Sequence, residues 1–123
     1  MIKIDYRDSR SIHEQIEDGF KSLIVNKILS VNEQLPSVRE LSLSLTVNPN
    51  TVQKAYKELE ADGYIYSIKG RGSFVAPVSH TKDTKKIQEL YETVESAIKS
   101  LLYLGEDTES IDNIISKIKE EFK

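Results

Sequence analysis

A helix with a polar, uncharged start lies in residues 47–59, VNPNTVQKAYKEL. Asn48 is a favoured N-cap residue, and Pro49 suits the first helical position because the N–H that it lacks has no partner there. Asparagine, threonine and glutamine side chains face outwards from the first turns, where their donors and acceptors are available to a partner. The apolar positions recur at helical spacing and predict one buried stripe, formed by Val52, Ala55, Tyr56 and Leu59.

Two further helices precede this segment. Ser11 and Glu14 have the spacing of a capping box and begin a helix whose apolar residues recur at intervals of three and four. Ser37 and Glu40 repeat that spacing directly after Pro36 and begin a short helix. The predicted apolar stripe of the first helix is Ile12, Ile16, Phe20, Leu23, Ile24 and Ile28, and that of the second is Val38, Leu41 and Leu45.

After Gly63 the sequence changes to YIYSIKGRGSFV, two β-rich runs around a glycine-bearing turn at residues 69–72, which predict a hairpin. Helix, short helix, tight connection, helix and hairpin is the element order of a winged helix-turn-helix. Two long amphipathic helices follow, from about Thr81 to near Gly105 and around residues 111–122. The predicted fold class is mainly α with a small β wing: a winged helix-turn-helix over residues 1–77 and a C-terminal antiparallel helical hairpin over residues 78–123.

The composition argues against several classes of function. The 123 residues contain no cysteine, which excludes disulfides and thiolate chemistry, and only two histidines. Since no cluster of acids with His, Ser or a metal site is present, we expect neither an enzyme nor a metal or other cofactor. No apolar run approaches the roughly 20 residues of a membrane span, and the first residues lack the pattern of a secretory signal. We therefore expect a cytoplasmic protein with no membrane partner.

The net charge of -3 weakens an expectation of nucleic-acid binding without removing it. Residues 1–76 contain ten basic and ten acidic residues, whereas residues 77–123 contain seven and ten. Because the acidity lies in the C-terminal part, the first part can still present a basic face if its acids point elsewhere.

In a winged helix-turn-helix the third helix enters the major groove of DNA with its N-terminal residues against the bases. The free N–H groups and the dipole of such a helix start also favour a phosphate. Two other interpretations stay open: the polar residues are plain solvated surface, or the winged helix is the docking surface of a protein-binding adaptor. The residues predicted to contact DNA from this helix are Asn48, Asn50, Thr51, Gln53 and Lys54.

Three linked motifs carry a family resemblance. LPSVREL at residues 35–41, VNPNTVQKAYKELEADGYI at residues 47–65 and KGRGSFV at residues 69–75 resemble the DNA-binding domain of GntR-family bacterial transcription regulators. The form VNPNTVQKAY, followed by a short two-helix tail, is most similar to the YtrA-like branch. The resemblance covers residues 4–77 in detail and the tail only in length and helical pattern.

The resemblance implies further DNA contacts. Ser37 lies where a phosphate contact is common, and Arg39 matches an arginine that typically contacts the operator, although a surface ion pair with Glu40 is the alternative. Lys69, Gly70 and Arg71 match the wing tip that reaches the minor groove. Many relatives outside this branch carry arginine at the positions of Pro49 and Gln53, so their base preference does not transfer.

The two tail helices have apolar faces that cannot fully cover each other, and a second copy of the chain is the simplest way to bury them. We expect a homodimer that binds double-stranded operator DNA with an inverted repeat and acts as a repressor. A small-molecule effector at the dimer interface is left open, and none can be named. The residues predicted to form the dimer are Leu90, Tyr91, Val94, Ile98, Leu101, Ile111, Ile115 and Ile118.

Overall fold

The computed structural model describes residues 2–77 and 84–122. Three helices come first: α1 (Ile12–Val25), α2 (Val38–Leu45) and α3 (Pro49–Ala61). A hairpin of β1 (Ile65–Ile68) and β2 (Gly72–Val75) follows, and then α4 (Thr84–Tyr103) and α5 (Thr108–Glu121). This order confirms the predicted fold class, a winged helix-turn-helix followed by two C-terminal helices.

The core of the first unit lies where α1 and α2 pack against α3. Ile16 and Phe20 of α1 are fully buried, as are Val52 and Leu59 of α3. The predicted stripe of α3 is therefore confirmed, and it fixes the outward direction of the polar residues between its members. The other buried apolar residues are Leu29, Leu35, Leu41, Ala55, Tyr56, Ile65 and Val75.

The predicted continuation of the first helix to Ile28 was wrong. Helix α1 ends at Val25, Lys27 has a left-handed backbone with φ of 59°, and the side chain of Ile28 is 63% exposed. The left-handed residue reverses the chain, so that Leu29 enters the core in place of Ile28. Helical spacing continued in the sequence beyond the point where the helix itself stops.

The start of each of the first three helices is capped as the sequence predicted. Ser11 Oγ accepts from Glu14 N in α1, and Ser37 and Glu40 form a complete capping box at α2. Asn48 caps α3 with Pro49 at its first position. Between α2 and α3 the chain turns at Thr46, which has φ of 56°. These caps place the starts of α2 and α3 at defined points of the fold.

The hairpin is antiparallel, with Ile65 opposite Val75 and Ile68 opposite Gly72. Its turn includes Gly70, whose φ of +79° lies in the left-handed region that glycine adopts most readily. Ile65 and Val75 are buried against the helices, so the base of the hairpin is anchored while its tip projects.

The chain separates into two compact units, residues 1–82 and 83–123. Among the described residues of α4 and α5, none is buried. Asp107 Oδ1 accepts from Ser110 N at 2.9 Å and caps α5. The predicted domain boundary after residue 77 and the helix start near Thr81 concern residues 78–83, which lie outside the described residues, and the boundary stays a prediction. None of the helices in residues 2–77 and 84–122 combines the length and the apolar composition that a membrane-spanning helix needs.

Candidate nucleic-acid interface

The start of α3 presents its polar side chains outwards. Asn48 Oδ1 accepts from Asn50 N at 2.8 Å, so the oxygen of Asn48 serves the cap and its NH2 group is left to donate. Asn50, Gln53 and Lys54 are exposed, and Thr51 is half-buried. Donors, acceptors and one cation therefore occupy the first two turns of this helix, which is the chemistry that base edges and phosphates require.

The start of α2 offers a hydroxyl and a guanidinium. Ser37 Oγ accepts from Glu40 N at 3.0 Å, which leaves the hydroxyl proton available for a phosphate oxygen. Glu40 Oε1 in turn accepts from Ser37 N at 3.3 Å. Arg39 is exposed and, within the described part of the chain, has no ion pair, so the alternative of an Arg39–Glu40 pair is not found.

Tyr56 joins the two helix starts. Its hydroxyl donates to the carbonyl oxygen of Pro36 at 2.6 Å, and its ring packs edge-on against Phe20 with the ring centroids 5.7 Å apart. Burial raises the pKa of the Tyr56 hydroxyl above its usual value, and the nearby charge of Glu40 adds to the shift. Because Pro36 directly precedes Ser37, this bond fixes the start of α2 relative to α3.

The wing tip carries two cations. Lys69, Gly70 and Arg71 are all exposed, and Arg71 N donates to Ile68 O at 2.9 Å across the turn. Ser67 and Ser73 hydroxyls lie 3.3 Å apart below it, one on each strand. The tip is thus a short, closed turn that projects two basic side chains.

Aromatic side chains in and beside the hairpin attach the wing to the rest of the first unit. The ring of Tyr66 stacks on Phe74 with centroids 5.6 Å apart, and its hydroxyl donates to Asn32 Oδ1 at 2.8 Å. Tyr64 lies under the ammonium group of Lys21, which is 5.1 Å from the ring centroid. Both tyrosines are half-buried, and these contacts are internal to the winged helix.

No sequence pattern indicated the role of Gln34. Its Nε2 donates to the carbonyl oxygen of Arg71 at 2.8 Å, which links the segment before α2 to the wing tip. Gln34 lies in an irregular segment with no periodic pattern, so no motif could single it out. Lys57, exposed one turn after Gln53 on α3, was also not predicted, although the helical spacing of four could have indicated it.

Most acids of the first unit are held in internal contacts. Arg10 bridges Asp8 and Asp18 at 2.6 Å each, and it lowers the pKa of Asp8 to about 2. Lys21 pairs with Asp62 at 3.4 Å. Glu33 and Glu60 accept from backbone N–H groups, as Glu40 does. These carboxylates are engaged by groups of the fold itself, and the net charge of -3 lies in residues 77–123.

The basic residues of the candidate interface, by contrast, have no ion pair within residues 2–77 and 84–122; they are Arg39, Lys54, Lys57, Lys69 and Arg71. Exposed cations without carboxylate partners can neutralise phosphates without first breaking an internal contact. This is the electrostatic pattern of a surface that binds a polyanion.

The buried carboxylate of Glu17 belongs to the core and not to this surface. Its Oε2 lies 2.8 Å from His13 Nδ1, and burial raises its pKa, with the contact to His13 opposing the shift. Among the described residues no group of three or more His, Cys, Asp or Glu could hold a metal ion.

The predicted dimer residues lie on the tail helices with their apolar side chains at the surface. Ile98 and Ile111 are half-buried. The others are exposed: Leu90, Tyr91, Val94, Leu101, Ile115 and Ile118.

A three-helix unit with a projecting wing, a polar recognition-helix start and unpaired cations at three points defines a winged-helix DNA-binding protein. Residues 12–75 match the family described as bacterial regulatory proteins, gntR family. The chain is 38% identical to the HTH-type transcriptional repressor YtrA of Bacillus subtilis (strain 168), with 100% of this chain and 95% of that protein covered.

Solved structures show the same fold. The transcriptional antiterminator from Listeria monocytogenes EGD-e is 34% identical, with a TM-score of 0.68 over 97% of this chain and 90% of that one. AraR(DBD) in complex with operator ORE1 is 25% identical, with a TM-score of 0.54 over 62% of this chain and 93% of that one. The chain belongs to the GntR family, and it is a DNA-binding transcription regulator rather than an enzyme. Its likeness to YtrA confirms the predicted branch.

Proposed function

We propose that this regulator is a homodimeric repressor that binds an inverted-repeat operator and so blocks a promoter in the cytoplasm. The observation that carries the proposal is the set of exposed cations at the starts of α2 and α3 and at the wing tip, none of which is paired within the described ranges. The name of the relative YtrA supports the repressor assignment.

Each element of the interface has its own role in the proposal. Asn50 and Gln53 read base edges in the major groove, because a side-chain amide can pair with a base through a donor and an acceptor together. Thr51 and Asn48 add single hydrogen bonds at the helix start. Lys54 contacts the sugar-phosphate backbone. Among these residues, Asn50 and Gln53 are the ones that select sequence, because the side-chain oxygen of Asn48 already serves the helix cap.

The second helix and the wing complete the contact. Ser37 donates its hydroxyl proton to a phosphate, and Arg39 reaches the operator beside it. Lys69 and Arg71 enter the minor groove, where Gly70 lets the backbone approach closely. Since the fold fixes all three elements, the complex forms without rearrangement of the winged helix.

The tail makes the dimer. Its two helices expose a continuous apolar stripe on α4 and a second on α5. Apolar surface of this extent in contact with water is unfavourable, and a partner that covers it removes the cost. A two-fold symmetric partner covers the same stripe on both chains, and it sets two recognition helices against two half-sites. The occupant we infer is therefore a second copy of this chain.

A selection from random DNA duplexes tests the DNA part of the proposal. The purified chain is incubated with the pool at moderate salt, and the retained duplexes are sequenced. We expect an inverted repeat with half-sites about one helical turn apart. Enrichment of single half-sites would contradict the dimer, and enrichment of nothing would favour the protein-binding adaptor, although the polar face of Asn50, Gln53 and Lys54 speaks against it.

Sedimentation tests the dimer directly. Leu90→Glu places a charge on the apolar stripe of α4, whereas Ser96→Glu places the same charge on the opposite side of that helix. We expect the wild-type chain and the Ser96→Glu control to sediment as dimers and Leu90→Glu to sediment as a monomer. A wild-type monomer at micromolar concentration would overturn this part of the proposal.

A further inference from the structure

A short segment before α2, residues 32–35, lies along the outer edge of β2. Asn32 N donates to Val75 O at 2.8 Å, Val75 N donates to Glu33 O at 2.9 Å, and Leu35 N donates to Ser73 O at 2.8 Å. The strand β2 is therefore hydrogen-bonded on both edges at its base. This backbone pairing stops at Ser73, so it does not reach the turn at residues 69–72.

The side chain of Gln34 extends the support beyond the last backbone bond. Its Nε2 donates to Arg71 O at 2.8 Å, although Gln34 itself pairs with Phe74 in the ladder. Gly72, with φ of +114°, has no Cβ and so leaves room for the Gln34 side chain. A Cβ at that residue would lie 2.9 Å from Gln34 Nε2. The Gln34 side chain thus fills the space beside Gly72 and hydrogen-bonds the carbonyl oxygen of Arg71, which is one of the two cations of the wing tip.

We propose that Gln34 is a positioning residue for DNA binding, which holds the wing turn in the conformation that contacts the minor groove. The inference rests on the proposed contact of Lys69 and Arg71 with DNA. A turn fixed in advance loses less conformational entropy on binding than a turn that orders on the DNA. The role of Gln34 is thus to place other side chains, through the N–H that it donates to Arg71 O.

A double-mutant cycle separates this role from a direct contact. The variants are Gln34→Ala, the pair Lys69→Ala and Arg71→Ala, and all three changes together. The probe is the duplex enriched in the selection above. We expect Gln34→Ala to weaken binding about threefold to tenfold, the amount that one hydrogen bond can contribute. In the chain that lacks both wing cations, the same change should alter affinity by less than about twofold.

Tyr66→Phe is the matched control, because it removes a hydrogen bond of the same length between the wing and the same segment, but at the base of the hairpin. We expect it to change affinity by less than about twofold. Equal losses for Tyr66→Phe and Gln34→Ala would overturn the inference, since they would show that any loosening of the wing is sufficient.

A second readout needs no DNA. The nitrogen-15 order parameters of the amides at residues 69–72 should fall from about 0.8 towards 0.6 in Gln34→Ala, while those of α1 and α3 stay unchanged. Unchanged order in the turn, or a loss of affinity in Gln34→Ala that adds to the loss from the wing cations, would overturn the inference. If removal of both cations left affinity unchanged, the wing contact of the proposed function would fail, and the order parameters would still report on the turn.

Discussion

Removal of the Tyr56 hydroxyl is the most specific test of what stabilises this fold. The side chain is 6% exposed, and its bond to Pro36 O, at 2.6 Å, joins α3 to the residue before the N-cap of α2. Tyr56→Phe keeps the ring and its edge-on contact with Phe20, and it removes only the hydroxyl. A lost hydrogen bond of this kind contributes about 1 kcal/mol, and an acceptor left without its donor adds to the loss.

We therefore expect Tyr56→Phe to lower the free energy of unfolding by about 1–2 kcal/mol. In a unit of this size that corresponds to a fall in Tm of roughly 4–16 °C. The measurement is urea unfolding followed by far-ultraviolet circular dichroism, with hydrogen exchange of α1 and α3 to confirm which unit is affected. Tyr6→Phe is the control, since the side chain of Tyr6 is 73% exposed.

Stability of Tyr56→Phe within about 0.3 kcal/mol of the wild-type chain would refute the reasoning, since a buried bond of 2.6 Å would then contribute nothing net. An equal loss in Tyr6→Phe would refute it as well, because the loss could not then come from burial.

Three further changes have expected outcomes. Because burial raises the folded-state pKa of Glu17, Glu17→Gln should be more stable than the wild-type chain at pH 7, and denaturation across pH should show that advantage shrink as pH falls and vanish below about pH 4; a constant difference would contradict it. Gly72→Ala should cost about 1–3 kcal/mol in urea unfolding, since its φ of +114° is strained for any residue with a Cβ, whereas a neutral change would mean that the turn relaxes freely. Arg39→Ala should weaken operator binding by about 1–3 kcal/mol if it reads a base, and a loss equal for all duplexes would place it on phosphate.

The helices of the first unit could be predicted from local chemistry. The Ser11 cap, the capping box at Ser37 and the Asn48–Pro49 start define helix beginnings through bonds between near neighbours, and the structure contains all three. At Ser11 only half of the predicted box forms, since Glu14 Oε1 accepts from the Ser11 hydroxyl. The end of α1 could not be predicted in the same way, because it depends on a left-handed residue at Lys27, a residue type with no special preference for that conformation.

The candidate site likewise has parts that could be predicted from the sequence and parts that could not. The polar start of α3 and the wing turn could be predicted, since they follow from helical spacing, capping and turn residues. The bonds of Gln34 to Arg71 and of Tyr56 to Pro36 join residues 37 and 20 positions apart. No periodic pattern encodes such a pair, and only the packed structure brings its members together.

The most direct test of the central claim is the affinity of the wild-type chain for two duplexes of equal length and composition. One carries the inverted repeat enriched in the selection, and the other carries the same bases in shuffled order. At near-physiological salt we expect the repeat to bind about a thousandfold more tightly or better. Equal affinities that fall together with rising salt would show that the cations bind phosphate alone, and they would contradict sequence-specific operator recognition.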